Sequence, residues 1–212
     1  MVKNISEEAA EILINLKCIN FSPKKQFKLT SGKKSPVYCD CRRIISFPEE
    51  REKLIDFGVS KLKEKPKFKK ISNIAGGESA GIPFAAFIAQ KLNLPMTYIR
   101  KEKKKFGKNS QIEGLLNQKD NVLLAEDLMT DGGSKLKFLD AIEKLGANVS
   151  GIFVIFNYGI IKDYYLFKKK KIDVISLTNW SHVLNVASRK KILKNDEVKI
   201  VESFLEKMKV KS

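Results

Sequence analysis

Apolar residues recur along this chain in two rhythms. One is helical: Ile12, Leu13 and Leu16 fall on one face of residues 9–16, and residues 49–65 repeat the pattern behind Pro48, a residue suited to a helix's first turn. The other is a short, largely apolar stretch. Residues 71–75, 96–99, 122–125, 149–156 and 172–177 have the length of strands, and the uninterrupted run 122–125 reads as a strand covered on both faces. Helical patterns at 82–92, with Pro83 near the first turn, and at 135–145 lie between these runs, and 196–207 closes the chain. Strands alternating with helices in this way predict right-handed βαβ units and a central parallel sheet flanked by helices, an α/β fold. Residues 1–46 follow a different rhythm. After the first helix, 27–45 alternates turn signals, Ser31-Gly32 and Ser35-Pro36, with short strand-like pieces such as 37–41. The expected organisation is a small N-terminal unit, 1–46, on an α/β core, 47–212.

A length of 212 residues suits one such domain with a small appendage. No apolar run approaches the roughly 20 residues that cross a bilayer. The opening MVKNISEEAAEIL is acidic where a secretion signal is basic, so a cytoplasmic protein with no membrane partner is expected. The net charge of +17 raises nucleic acid as a partner. The lysines are spread along the whole chain, however, and neither a helix-turn-helix nor an aromatic RNA-binding motif is present. Solvated basic faces are the expected reading, and nucleic acid is not an expected partner. Cys18, Cys39 and Cys41 form no CxxC pair or Cys/His cluster and read as small buried thiols in a reducing compartment. His182, the single histidine, has no neighbour that would make it part of a hydrolase triad.

Chemistry concentrates in VLLAEDLMTDGGS, residues 122–134. Glu126 and Asp127 follow the apolar run at the carboxyl end of a predicted strand, the edge where ligands sit in open α/β sheets. Two adjacent carboxylates there suit the vicinal hydroxyls of a ribose. Leu128 and Met129 lead to Thr130, Asp131, Gly132, Gly133 and Ser134, which open into a helix. The glycines let backbone N–H groups converge, the hydroxyls add donors, and the helix N-terminus favours an anion. The segment is thus suited to a sugar and a phosphate side by side. The G-x-x-x-x-G-K-[ST] loop of ATPases and the G-x-G-x-x-G dinucleotide loop are both absent from the sequence.

This segment resembles the phosphoribosyl pyrophosphate (PRPP) motif of type I phosphoribosyltransferases. FKLTSGKKSPVYCD (27–40), IAGGESAGIPFAA (74–86) and YIRKEKKKFGKNSQIEG (98–114) resemble orotate phosphoribosyltransferase in particular, in that family's order. The resemblance implies a parallel-sheet core with residues 1–46 as a hood over the base. It also implies transfer of ribose 5-phosphate from PRPP to orotate, with loss of pyrophosphate, in pyrimidine biosynthesis. Other implications are Mg²⁺, held mainly by PRPP with Asp127 the one protein candidate, and a homodimer whose subunits share a flap. In its terms PRPP meets Ser79, Ala80, Arg100, Lys101, Lys104, Glu126, Asp127, Leu128, Met129, Thr130, Asp131, Gly132, Gly133 and Ser134. Orotate meets Tyr38, Cys39, Thr130 and Tyr158. Lys104, Arg100, Asp127 and Asp131 are the expected catalytic groups. A lysine-rich flap suits this work, since it can neutralise pyrophosphate and exclude water.

The chain departs from the common pattern at Phe106, where the flap usually carries histidine, at Ser79-Ala80, usually Tyr-Lys, and at Thr30, usually lysine. A fourth departure is Asn157-Tyr158, where an arginine commonly grips the orotate carboxylate. The alternatives are a phosphoribosyltransferase for another base, or a regulator that keeps the fold but binds nucleic acid.

Overall fold

Strands β8 (Asn121–Met129) and β9 (Asn148–Asn157) are apolar on both faces. Alternate side chains go to opposite sides, so Leu123 and Ala125 join one buried cluster and Val122 and Leu124 another. The computed structural model describes residues 4–29, 32–102, 111–130, 132–159, 165 and 167–210. Within them, β5 (Asn73–Gly77), β6 (Met96–Ile99), β7 (Ile112–Glu113) and β10 (Val174–Asn179) complete a six-stranded sheet of order β10-β9-β8-β5-β6-β7. Its neighbours run parallel except β7, which pairs antiparallel with β6, Ile99 opposite Ile112.

Helices cover both faces. The larger apolar cluster takes side chains from α1 (Ile5–Asn15), α2 (Pro48–Lys63), α3 (Gly81–Leu92), α5 (Trp180–Arg189) and α6 (Asn195–Val210). The smaller cluster lies under α4 (Gly133–Lys144) and includes Phe167 and Ile172. This is the helix-flanked parallel sheet that the alternating runs predict. The α1 helix is tied in by Lys61 of α2, whose ammonium donates to Ser6 Oγ (2.9 Å) and to the Ser176 and Leu177 carbonyls (3.0 and 3.2 Å).

Three local differences from the expected elements bear on the site. β8 runs four residues past 125, because Glu126 pairs opposite Val154, Leu128 opposite Phe156 and Met129 opposite Asn157. The acidic pair therefore lies inside the strand. The expected strand 37–41 stops as β4 (Val37–Cys39), paired antiparallel with β1 (Ile19–Phe21). Asp40 then turns the chain into a 3₁₀ segment, Cys41–Ser46, its carboxylate accepting from the Arg42 N–H at 3.2 Å. Finally, α5 has no counterpart among the predicted elements. It follows β10 with no loop, since the Asn179 side chain caps it by accepting from the His182 N–H at 3.3 Å.

Gly58 of α2 faces the sheet so closely that an added Cβ would stand 2.6 Å from Cζ of Phe153. Gly58→Ala gains about 1 kcal/mol of helix propensity but overpacks the core by about 1–3 kcal/mol. Urea unfolding is expected to show a net loss of about 1 kcal/mol. A gain would mean that Phe153 yields freely.

Candidate active site

Glu126 is 4% exposed. One carboxylate oxygen, Oε2, lies 3.2 Å from Nζ of Lys135 in the first turn of α4. The other, Oε1, is buried with no hydrogen-bond partner among the described residues. Room for it is made by two glycines of the turn between β5 and α3. A Cβ on Gly77 would collide with Oε1 and with the Phe138 ring, and one on Gly81 would stand 2.6 Å from the Ala125 carbonyl and 2.9 Å from Oε1. Both positions need glycine because of the carboxylate beneath them. Burial pushes the Glu126 carboxyl up to about 7, against the pull of the Lys135 ammonium and with a further push from Asp127. Asp127, 7% exposed, is also raised by burial, opposed by the Leu128 N–H and the Lys135 charge. Asp127 also feels Arg42, and its charge acts on Cys41. The 3₁₀ segment therefore comes up to the end of β8.

Beyond the pair, Leu128 packs against the larger cluster and Met129 is buried. Thr130 follows the strand. Gly132 takes φ +67° as the N-cap of α4, a conformation that favours glycine, and the helix opens with no side-chain cap bond. Gly133 and Ser134 are exposed in its first turn. An uncapped helix N-terminus flanked by hydroxyls suits a phosphate. Asp131 lies outside the described residues.

The base of the flap is pinned at both ends. The Arg100 N–H donates to the Gln111 carbonyl (2.9 Å) and Gln111 Nε2 donates back to the Arg100 carbonyl (3.0 Å). Nη1 of Arg100 lies 3.7 Å from Glu113 Oε1, while its Nε is buried without a hydrogen-bond partner among the described residues. The Lys101 N–H donates to Glu78 Oε2 at 2.8 Å, which joins the flap to the 77–81 turn, where Ser79 is exposed and Ala80 precedes α3. Lys104 and Phe106, like Thr30, lie outside the described residues.

On the base side, Tyr38 is 42% exposed with its ring 5.9 Å from Phe27. Tyr158 stacks edge-on against Phe156 (5.4 Å) and Trp180 (5.3 Å), and its N–H donates to the Met129 carbonyl at 2.9 Å. Burial raises the Tyr158 hydroxyl, and Cys39, Cys41 and Tyr38 push the same way, so these groups lie near one another. Cys39 and Cys41 do lie together, Sγ to Sγ 3.7 Å, across the strand end rather than along one strand. Cys18 and Cys41 are fully buried, and burial pushes the Cys18 thiol up to about 12. Sequence reasoning missed Lys135, treating it only as the start of a helix. The available signal was a cation in a helix's first turn, where the macrodipole opposes it, eight residues after an acidic pair.

Among the described residues no group of three or more His, Cys, Asp or Glu could hold a metal ion, and no helix is long and apolar enough to cross a membrane.

Residues 49–187 match the phosphoribosyl transferase domain family. The orotate phosphoribosyltransferase of Rhizobium rhizogenes is 43% identical over 202 residues, 95% of this chain and 87% of that protein. Among solved structures, the UMP synthase of Leishmania donovani superimposes with a TM-score of 0.79 at 25% identity, covering 95% of this chain. The match spans 42% of that longer protein. The orotate phosphoribosyltransferase of Aeropyrum pernix shares the fold with a TM-score of 0.72 at 24% identity, over 87% of this chain and 99% of that one. The chain belongs to the phosphoribosyltransferase family and, on its identity to the curated relatives, to the orotate phosphoribosyltransferases within it.

The Glu126 carboxyl gives stability a signed pH dependence. The folded chain holds this proton more tightly than the unfolded chain, where the group titrates near its ordinary 4.5. Its contribution is fully present below about pH 4.5 and is lost as the pH rises through about 7. Urea unfolding should show the protein losing on the order of 2 kcal/mol across that window relative to Glu126→Gln. Parallel curves for the two proteins would show that Glu126 carries no such linkage.

Proposed function

We propose that the chain transfers ribose 5-phosphate from PRPP to orotate, giving orotidine 5′-phosphate and pyrophosphate, a step of UMP biosynthesis. The observation that carries this reading is the buried Glu126–Asp127 pair. It lies at the carboxyl edge of the sheet between the uncapped start of α4, the pinned flap base and a tyrosine-lined space. The 43% identity to a curated orotate phosphoribosyltransferase supports orotate as the base.

In this reading the 5′-phosphate sits on Thr130, Gly132, Gly133 and Ser134, with Asp131 beside them, and Leu128 and Met129 hold the strand end in place. Glu126 and Asp127 accept hydrogen bonds from the ribose hydroxyls. Their negative charge faces the anomeric carbon as the bond to pyrophosphate breaks and positive charge develops there. Arg100, Lys101 and Lys104 neutralise the departing pyrophosphate, with Ser79 and Ala80 lining its place. Arg100 is held near Glu113 by a loose 3.7 Å ion pair, which a pyrophosphate can outcompete. Tyr38, Cys39, Thr130 and Tyr158 bound the base, and Asp131 is positioned in sequence to take its proton. Mg²⁺ bound with PRPP would supply further positive charge at the pyrophosphate, held mainly by the substrate, and Asp127 is the residue that would reach it. The assembly proposed is a cytoplasmic homodimer in which each subunit lends its flap to the other's site.

Purified protein given PRPP, orotate and Mg²⁺ is expected to release pyrophosphate, and chelation of the metal to stop it. Asp127→Asn and Lys104→Ala should each lower kcat/KM about 10²–10³-fold. Absence of pyrophosphate release would refute the reading. Faster turnover with another base in a panel would refute orotate while leaving PRPP use intact.

A further inference from the structure

Lys135 occupies an unfavourable position. It is 9% exposed, in the first turn of α4, where the helix's own positive end opposes a cation and burial removes the ammonium's hydration. Glu126 is the compensating group, with Oε2 at 3.2 Å. A lysine that stabilised the fold would not need a carboxylate on a ligand-binding strand edge, since a buried ion pair contributes little over an apolar pair of similar volume. The pairing also has a direction. With Oε2 engaged, Oε1 is left buried and unpartnered among the described residues, beside Gly77 and Gly81. Lys101, on the flap base, is a second cation whose charge reaches Glu126. It is exposed.

Resting on the functional reading above, we propose that Lys135 is a positioning residue: its ammonium holds Oε2 of Glu126 and so fixes the carboxylate under the 77–81 turn, at the strand end where that reading places the PRPP ribose. Without the ammonium, the flexible glutamate side chain turns toward Lys101, and the acceptor leaves the ribose. The effect falls on PRPP and not on the base, which approaches from the Tyr38–Tyr158 side.

The test is a double-variant cycle read by steady-state pyrophosphate release with PRPP, orotate and Mg²⁺, using Lys135→Met, Lys135→Arg, Glu126→Gln and the Lys135→Met/Glu126→Gln pair. Lys135→Met is expected to raise the KM for PRPP about 10-fold or more, with the KM for orotate within about twofold. Lys135→Arg keeps the charge and recovers most of the loss. The double variant turns over no more slowly than Glu126→Gln, because Lys135 acts only through that carboxylate. A merely structural lysine would instead lower the amount of folded enzyme with no shift in KM for PRPP. An unchanged KM for PRPP in Lys135→Met, or a double variant slowed by the product of the two single effects, overturns the proposal. If Lys135→Met does not fold, the comparison of Glu126→Gln with the double variant decides, since that pair leaves no buried charge. If the unaltered protein releases no pyrophosphate with orotate, the functional reading fails. PRPP affinity of the same proteins, measured calorimetrically with Mg²⁺, then decides on Lys135 by the same pattern.

Discussion

A carboxylate buried at the end of the central strand constrains everything around it. Glu126 needs a counter-charge, which places a lysine in the first turn of α4. It needs volume, which forces glycine at 77 and 81. It needs a rigid mount, which the pairing of β8 with β9 supplies by continuing to Met129. Three segments far apart in sequence, the β5–α3 turn, the end of β8 and the start of α4, are thus tied to one side chain. Such a pair adds little stability, because desolvation offsets most of its attraction. The fold is held instead by the two apolar clusters that sandwich the sheet, and the ion pair specifies geometry within a frame stabilised elsewhere.

The two faces of the sheet contribute differently at that edge. From the α4 side come the uncapped helix start and Lys135. From the other come the 3₁₀ segment Cys41–Ser46 and the aromatic group of Phe156, Tyr158 and Trp180, packed edge to face at 5.0–5.4 Å. The N-terminal residues reach this place through an ordinary device. β4 pairs with β1 close to α1, and α1 buries Ala9, Ala10 and Leu13 in the same cluster as the sheet. Tyr38 and Cys39 are carried to the site on that pairing.

Much of this architecture was legible in the sequence because parallel strands covered on both faces read as near-continuous apolar runs, and 122–125 and 152–156 are such runs. Their extensions were not legible. Glu126 and Asp127 look like the end of a strand, since polar residues normally mark one; only the partner strand's length shows that pairing continues. The α5 helix was hidden because Asn179 both ends β10 and caps the helix, leaving no turn signal between them. The ordered motifs singled out Glu126 and Asp127, but they gave no sign that Gly77 and Gly81 make room for a carboxylate oxygen of Glu126. Lys135 was invisible as a site residue because its role depends on burial, which a lysine between Ser134 and Leu136 does not advertise.

Strand geometry finally explains why two adjacent acids are not redundant. Successive residues of β8 turn to opposite faces of the sheet. Glu126 meets Lys135 and the 77–81 turn, the side joined to the flap through Glu78 and Lys101. Asp127 meets the segment that carries Cys41 and Arg42, the side of the tyrosines. Burial raises both carboxyls, and the Lys135 ammonium pulls against it at both; Glu126 is in direct contact with that ammonium, while Asp127 also has the Leu128 N–H and the surface guanidinium of Arg42. A sugar placed across the end of β8 meets one carboxylate from each side. In the proposed function, one is coupled to the segment assigned to the leaving group, the other to the segment assigned to the base. The Glu-Asp order therefore joins the two halves of the site through a single strand end.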